Sequence, residues 1–358
     1  MEDRRKAEIQ PDSRKEVTDI MRKNKFLTIM VISMAIALFT GCGGEKTLKY
    51  TEYEYSDAAG FSVGDAVLNG EIEALNVDWM SGEVKIEYGD DGQIRFSESA
   101  NMETDDSTKV HYRMQGKTLI IKFCASGEGE KLINLSKKLT VSLPADCKMN
   151  RIDVTTENAD VYMGDIDSGY SSVVTGNGSV EVAAEKTERV VIGTGQGSID
   201  AELKNTEIAQ LTTMSGSVDA VVEDVQDISA VTASGAITLK QKGKSEKLRA
   251  ESAEGKLDIK INDVVLPSFN SSSGNIKVKF KNLPAQADVR STSGKISIQM
   301  PKDASFTASV KSAGGDFSCD FEDVTRNGKT YTRGDGSFDL NLFTTSGNIK
   351  LKPIEEKE

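Results

Sequence analysis

The chain has 358 residues, with 44 basic and 56 acidic side chains and a formal net charge of −12. This acidic balance argues against nucleic acid as a partner, because such proteins carry a basic surface. One histidine and four cysteines give little support to a metal centre or to a disulfide framework.

Residues 1–20 are charged and do not fit an export signal, so we interpret them as an extension upstream of a true start at Met21. Residues 21–41 have the pattern of a secretory signal. A positive segment is followed by 14 apolar residues and by small residues before Cys42. The apolar run is shorter than the roughly 20 residues that span a bilayer as a helix.

The end of this signal resembles the lipobox of bacterial lipoproteins, although Leu38 and Phe39 depart slightly from its commonest pattern. The resemblance implies cleavage before Cys42 and a diacylglyceryl group on its sulfur. Two acyl chains give a stable anchor, so we expect a lipid-anchored protein on the outer face of the bacterial cytoplasmic membrane. Removal of residues 1–41 leaves 36 basic and 50 acidic residues, a net charge of −14.

After a linker at 42–60, residues 61–150 predict an irregular β region. Its strands include the segments LNVDWM, EVKIEY and QIRFSES, with a Gly-Asp-Asp-Gly hairpin signal, and then KTLIIKF and KLTVSLP. A stack of repeats needs its first apolar layer covered, and this region is the natural cap. We interpret the lone Trp79 as filling that end rather than binding sugar.

Residues 151–353 repeat a short phrase of the form TGNGSVEV at a period of 19–21 residues, with one gap of 32. A fixed period near 20 with strand-forming residues is typical of stacked coils. We therefore predict an all-β protein, a β-solenoid of about ten coils, with a charged tail at 354–358. The phrase glycines are Gly178, Gly197, Gly216, Gly235, Gly255, Gly274, Gly294, Gly315 and Gly347, and Ala159 takes their place one coil earlier.

Residues two and four positions after each phrase glycine, and five before it, are apolar, so these rows are expected to face inward. The residue three positions before the glycine is always serine or threonine. A row of hydroxyls invites the hypothesis of a nucleophile, but no histidine is near and the row repeats in every coil. We interpret it as a structural ladder that caps the turns.

The phrases, together with VDWMSGEVKIEYGDDGQIRF and KLTVSLP, resemble the bacterial domain of unknown function labelled "putative adhesin". The resemblance runs from about Leu75 to Leu351. It implies a cell-surface β-solenoid without known enzymatic activity, and it transfers no catalytic, cofactor or ligand-binding residue. Related domains in envelope-stress systems keep a sensing role open.

No metalloprotease, serine-hydrolase or phosphate-loop motif is found, so we predict neither an enzyme nor a cofactor or metal site. Arg333, Gly334 and Asp335 spell the integrin-binding tripeptide in a turn-forming insertion between two coils. They are a candidate adhesive loop, although Gly-Asp-Gly is also what a tight turn requires without any partner.

The outward residues of the later coils form a basic stripe on an acidic protein. One interpretation is protection of an exposed sheet, for which lysine is a usual guard. The other is a docking face for an anionic polymer such as teichoic acid, or for phospholipid headgroups. The stripe comprises Lys240, Lys256, Lys260, Lys277, Lys279 and Lys295, continued by Lys350 and Lys352.

Three functions are compatible with these features of the sequence. The first is a surface-anchored, non-enzymatic solenoid that binds ligands of the envelope or outside the cell. The alternative is an envelope-stress lipoprotein that acts through a membrane-protein partner. A polysaccharide-active enzyme on a β-helix is the least favoured.

Overall fold

The computed structural model describes residues 52–90 and 92–355, and Cys42, the predicted signal and the predicted start lie outside them. Within this range the chain consists of strands and turns, without α-helix, and has one 3-10 turn at Glu130–Leu132. The predicted all-β, solenoid-like architecture is therefore confirmed. No helix in this range is long and apolar enough to cross a membrane.

The strands are numbered in chain order. The N-terminal strands are β1 (Ser62–Val63), β2 (Ala66–Leu68), β3 (Ala74–Gly89), β4 (Ile94–Ala100), β5 (His111–Gln115), β6 (Thr118–Lys122) and β7 (Lys137–Pro144). The regular coils comprise β8 (Met149–Met163), β9 (Ser168–Thr175), β10 (Val180–Glu185), β11 (Arg189–Thr194), β12 (Ile199–Lys204), β13 (Ile208–Thr213), β14 (Val218–Glu223), β15 (Asp227–Thr232), β16 (Ile237–Lys242), β17 (Ser245–Ser252), β18 (Leu257–Ile261), β19 (Val264–Ser271), β20 (Ile276–Phe280), β21 (Gln286–Ser291) and β22 (Ile296–Met300). The C-terminal strands are β23 (Phe306–Ser312), β24 (Phe317–Cys319), β25 (Val324–Asn327), β26 (Thr330–Arg333), β27 (Asp339–Thr344) and β28 (Ile349–Pro353).

Each regular coil contributes one strand before its phrase glycine and one after it, and each strand pairs in parallel with its equivalent in the next coil. Ile199 of β12, for example, pairs with Val218 of β14, which pairs with Ile237 of β16. The three predicted inward rows are buried in the regular coils. Phe317 and Cys319 are only partly buried, because they belong to the coil at the end of the stack.

The phrase glycines are required by close approach between coils. A Cβ atom on Gly197 would lie 1.8 Å from the carbonyl oxygen of Gly178 in the neighbouring coil. Their backbone is not in the left-handed region, so the turn itself would accept other residues. The left-handed position lies on the opposite turn instead, at Lys186, Asn205 and Asp224, with φ of 57°, 48° and 52°.

The hydroxyl ladder is present and joins adjacent coils. Thr194 Oγ1 accepts the amide N–H of Gly197 at 3.0 Å and donates to the carbonyl of Gly178, one coil earlier, at 3.0 Å. The same pair of bonds recurs at Thr213 and Thr232. Each hydroxyl thus satisfies two buried backbone groups of the turn, which supports the structural interpretation of this row.

At the C-terminal end the stacking order departs from the chain order. β22 pairs with β28, and β28 pairs with β24, while β27 lies between β21 and β23. The last coil of the chain is therefore inserted beneath the coil of Gly315. The outermost strand β23 is covered by the antiparallel strand β26, which protects this edge from pairing with another chain.

The N-terminal end has the corresponding arrangement. β3 forms a complete coil that pairs on one side with β8 and on the other with β6 and β7. Its Gly82 is in register with Ala159, so MSGEVKI is a repeat phrase and β3 a further coil, within the range 61–150 where the sequence predicts an irregular cap. β4 and β5 cover the outer coil in antiparallel pairing.

The core of this end contains a buried ion pair that the sequence did not indicate. Lys137 is 1% exposed, and its Nζ lies 2.6 Å from a Glu98 carboxylate oxygen and 2.8 Å from the Thr108 carbonyl. Burial lowers the pKa of Lys137, although Glu98 opposes the shift. Trp79 is fully buried beside it and donates its indole N–H to the Lys137 carbonyl at 3.1 Å, as expected of a core residue.

Candidate binding face

The strands that follow the phrase glycines present one continuous outward surface, which we call the post-glycine face. Side chains one, three and five positions after the glycine point outward, because those at two and four positions point into the core. The parallel register places equivalent residues of successive coils in straight columns, about 4.8 Å apart. This face is where the predicted stripe lies.

The column five positions after the glycine contains three lysines in succession. Lys240 pairs in register with Lys260, and Lys260 with Lys279. Gln299 follows Lys279, and Lys352 of the inserted last coil follows Gln299. The structure thus brings together the lysines that the repeat predicted to be adjacent, and the insertion of the last coil continues the column.

The other lysines of the stripe lie in the two neighbouring columns. Lys256 and Lys295 are separated by Asn275, whose side-chain oxygen accepts the backbone N–H of Lys295 at 2.9 Å. Lys277 lies between Asp258 and Ser297, and its Nζ is 3.4 Å from the Asp258 carboxylate. The columns together form a basic field over consecutive coils.

Most of this positive charge is not neutralised within the chain. Among the residues that the structure describes, five lysines of the stripe have no carboxylate within 4 Å: Lys240, Lys256, Lys260, Lys279 and Lys295. Two unit charges about 4 Å apart repel by about 1 kcal/mol at the dielectric constant of water. The arrangement therefore costs the folded protein some free energy, which a bound anion would recover.

The coils that precede the stripe carry the opposite charge on the same face. From Ala159 to the coil of Gly216, the three outward columns contain acidic residues and no lysine or arginine. These residues are Asp160, Glu181, Asp200, Glu202 and Asp219. We call this part the acidic half and the coils of Gly235, Gly255, Gly274, Gly294 and Gly347 the basic half.

The opposite surface, formed by strands that precede the phrase glycines, is the pre-glycine face, and its charges pair locally. Arg249 donates to Glu251 at 2.6 Å, and Lys247 lies 3.3 Å from Asp227 of the neighbouring coil. Arg151 and Asp153 form a further pair, as do Arg290 and Asp288 at 3.8 Å. This face therefore leaves much less charge for an ionic partner.

The tripeptide at Arg333, Gly334 and Asp335 lies in the turn between β26 and β27. The Arg333 guanidinium donates to the carbonyls of Glu322 and Ala304 and lies over the Phe321 ring. Asp335 accepts hydrogen bonds from the Ser305 hydroxyl and the Ser337 N–H, which hold its pKa below the usual range.

An adhesive receptor would have to compete with these internal bonds at Arg333 and Asp335. Gly334 has a φ of 65°, as expected of a residue in a tight turn. The adhesive role of the loop stays a prediction.

The described residues contain no group of three or more histidine, cysteine or acidic side chains placed to hold a metal ion. Cys124, Cys147 and Cys319 are free thiols. A groove of about 370 Å³ is lined by residues that include Tyr170, Glu188 and Arg189, but it presents no nucleophile with a base beside it.

Several solved structures resemble this one at low similarity. One, titled a putative adhesin from Parabacteroides merdae ATCC 43184, is 9% identical, with a TM-score of 0.38, and the match covers 84% of this chain and 100% of that chain. A putative lipid binding protein from Parabacteroides distasonis ATCC 8503 is 13% identical, with a TM-score of 0.41 and coverage of 80% and 96%. A putative cell adhesion protein from Clostridium sporogenes ATCC 15579 is 13% identical, with a TM-score of 0.21 and coverage of 82% and 100%. At these values the likenesses do not bear on function.

A search of curated proteins found no match. A family model described as Toastrack DUF4097 matches residues 72–269 and 258–352, which together span most of the chain. The matched range begins just before β3 and ends within β28, so it includes the coil of β3 and the inserted last coil as well as the regular stack. The chain belongs to the Toastrack DUF4097 family.

Proposed function

We propose that this chain is a non-enzymatic, exported lipoprotein that binds an anionic polymer of the cell envelope through the basic half of its post-glycine face. The observation that carries the proposal is the register of Lys240, Lys260 and Lys279 in adjacent coils, without a carboxylate of residues 52–90 or 92–355 within 4 Å of any of them. Acidic residues outnumber basic ones by 12 in the whole chain. The clustering of lysines on one face is therefore not a simple result of the amino-acid composition.

A flexible chain of phosphates suits such a surface better than a single small anion. The lysines of one column repeat about every 4.8 Å, so a polymer laid along the stack contacts several of them in turn. Each contact near a charged surface is worth about 1 kcal/mol and weakens as salt is added. Several contacts together give useful affinity only when one molecule spans them.

The test is binding of purified teichoic acid at low ionic strength to the protein and to the variant K240E/K260E/K277E/K279E. We expect the variant to lose the salt-sensitive binding. The matched control is K148E/K244E/K281E/K302E, which makes the same charge change at exposed lysines outside the strands and should keep most of the affinity. Equal binding by both variants, or no binding by the unchanged protein, would leave the stripe as protection of the exposed sheet.

Membrane attachment is a separate part of the proposal and rests on the lipobox resemblance at Cys42. The expected result is that labelled fatty acid enters the protein in a bacterial host and that Cys42→Ala abolishes the labelling. Label that persists in the Cys42→Ala protein would contradict the anchor. The alternative role in envelope-stress sensing predicts instead a membrane-protein partner whose cross-linking does not depend on the four lysines.

A further inference from the structure

The post-glycine face is divided along the stack into two oppositely charged halves of similar length. Four consecutive coils contribute only acidic charges to the outward columns, and the coils that follow contribute lysines, with Asp258 as the exception. The change of sign falls between the coils of Gly216 and Gly235. A surface with this pattern is complementary to itself when it is turned end to end.

The repeat defines how two copies would meet. A two-fold rotation about an axis parallel to the strands, placed between the coils of Gly216 and Gly235, turns the face onto its copy and reverses the direction of the stack. Each column then lies opposite the same column of the other copy, as in an isologous dimer. The coil of Gly197 meets that of Gly255, and the coil of Gly178 meets that of Gly274.

This geometry brings acidic and basic side chains into apposition. Glu202 lies opposite Lys260, and Glu181 lies opposite Lys277, each pair occurring twice by symmetry. One coil further out, Asp160 lies opposite Lys295. Asp200 meets Asp258, a pair of like charge, but Asp258 already has Lys277 at 3.4 Å in its own copy.

The two coils beside the axis combine small and charged side chains. Ser217 lies opposite Ala236, and both are small and partly buried in the single chain. Lys240 lies opposite Val221, on the strand that also carries the exposed Asp219 two residues away. Eight coils at about 4.8 Å and strands of about 20 Å give about 750 Å² per copy. The total of about 1,500 Å² falls within the usual range of specific interfaces.

We propose that the post-glycine face binds a second copy of this chain in this antiparallel register. The inference does not depend on polymer binding. Dimer formation would nevertheless affect polymer binding. The dimer covers the lysines of the basic half, so a polymer would have to displace the second copy. Self-association and polymer binding are therefore mutually exclusive on this face.

The first test is zero-length carbodiimide cross-linking of the full-length protein in non-ionic detergent, with isotopically labelled and unlabelled chains mixed. We expect links from Glu181 to Lys277 and from Glu202 to Lys260 that join a labelled to an unlabelled peptide. Within one chain Glu181 and Lys277 are five coils apart, about 24 Å along the stack, so no internal link competes. Absence of these links at low salt would overturn the proposal.

The second test exchanges charges in sedimentation experiments without polymer. The variants E181K/E202K and K260E/K277E should each lose self-association by at least about tenfold, because like charges then face each other. An equimolar mixture should recover it, since one variant supplies two acidic halves and the other two basic halves.

The control K148E/K311E changes two exposed lysines, one in the turn before β8 and one on the pre-glycine strand β23, and should self-associate normally. A mixture that fails to recover, a control that loses association equally, or a protein that stays monomeric would each refute the dimer. Teichoic acid binding by a strictly monomeric protein would refute it while leaving the proposed function intact.

Discussion

The post-glycine and pre-glycine faces are built from the same coils and have the same parallel register, but their charged side chains are arranged differently. On the pre-glycine face, charged residues such as Arg249 and Glu251 neutralise each other at 2.6 Å. On the post-glycine face, charges of one sign are collected over several coils, and Lys240, Lys260 and Lys279 follow one another without an ion-pair partner in the part of the chain that the structure describes.

The difference shows that the fold does not dictate the charge pattern. The inward rows and the turn hydroxyls are the same for both faces, so the outward positions are free to vary. Since a column of lysines is less favourable than a column of alternating charges, its presence on one face favours a use outside the chain.

The largest effect on the free energy of unfolding is expected from Gly197→Ala, which alters the stacking of the coils that carry both faces. The added Cβ would lie 1.8 Å from the Gly178 carbonyl oxygen, and backbone must move to make room. We expect the free energy of unfolding to fall by about 3 kcal/mol or more, as measured by urea denaturation. Gly328→Ala is the control for glycine replacement as such, because no atom lies within 4 Å of its Cβ position, although its φ of 60° adds a modest strain.

A small effect of Gly197→Ala, equal to that of Gly328→Ala, would contradict the close packing of the coils. The stack of coils would then tolerate local changes in coil spacing, and the distances between lysines of one column would not be constant.

The regular part of this stack was accessible from the sequence, because each coil contacts its neighbours through residues at fixed positions. The inward rows, the hydroxyl ladder and the lysine column follow from a period of 19–20 residues and strand alternation. The structure of the two ends of the stack could not be predicted in this way. The insertion of β28 between β22 and β24 is a long-range pairing, and no local pattern distinguishes it from simple continuation of the stack.

Two features of the N-terminal end of the stack could not be predicted from the sequence, each for its own reason. β3 carries the phrase MSGEVKI, but a long excursion separates it from the next coil, so no fixed period reveals it. Lys137 begins the strand KKLTVSLP on the same side as the buried Leu139, but its charge argues against burial, and the compensating Glu98 lies in a strand that is distant in sequence. The glycine column can be located from the sequence, but its cause, the close contact between coils, is visible only in the stacked structure.

An intermediate effect, of opposite sign, is expected from Lys260→Glu. The substitution places a carboxylate between Lys240 and Lys279 in the column and replaces two repulsive neighbours by two attractive ones. The free energy of unfolding should rise by about 0.5–1 kcal/mol at low salt and return towards the original value at high salt, as measured by urea midpoints.

Binding of teichoic acid should weaken in the same Lys260→Glu protein, so that stability and binding move in opposite directions. A variant that is less stable than the original protein at low salt would show that Lys260 already has a favourable electrostatic environment. Repulsion between neighbouring lysines would then not lower the stability of the basic half.

The smallest effect is expected on the pre-glycine face, from Glu251→Gln. Loss of the carboxylate leaves Arg249 without its partner, but the pair lies at the surface, where such ion pairs contribute little. The free energy of unfolding should fall by about 0.3 kcal/mol, and teichoic acid binding should not change. Glu246→Gln on the same strand is the matched control, because Glu246 is exposed and has no ion pair among the described residues. If Glu251→Gln altered polymer binding as strongly as Lys260→Glu does, the ligand would contact both faces, and the contrast between a self-neutralised face and a binding face would not hold.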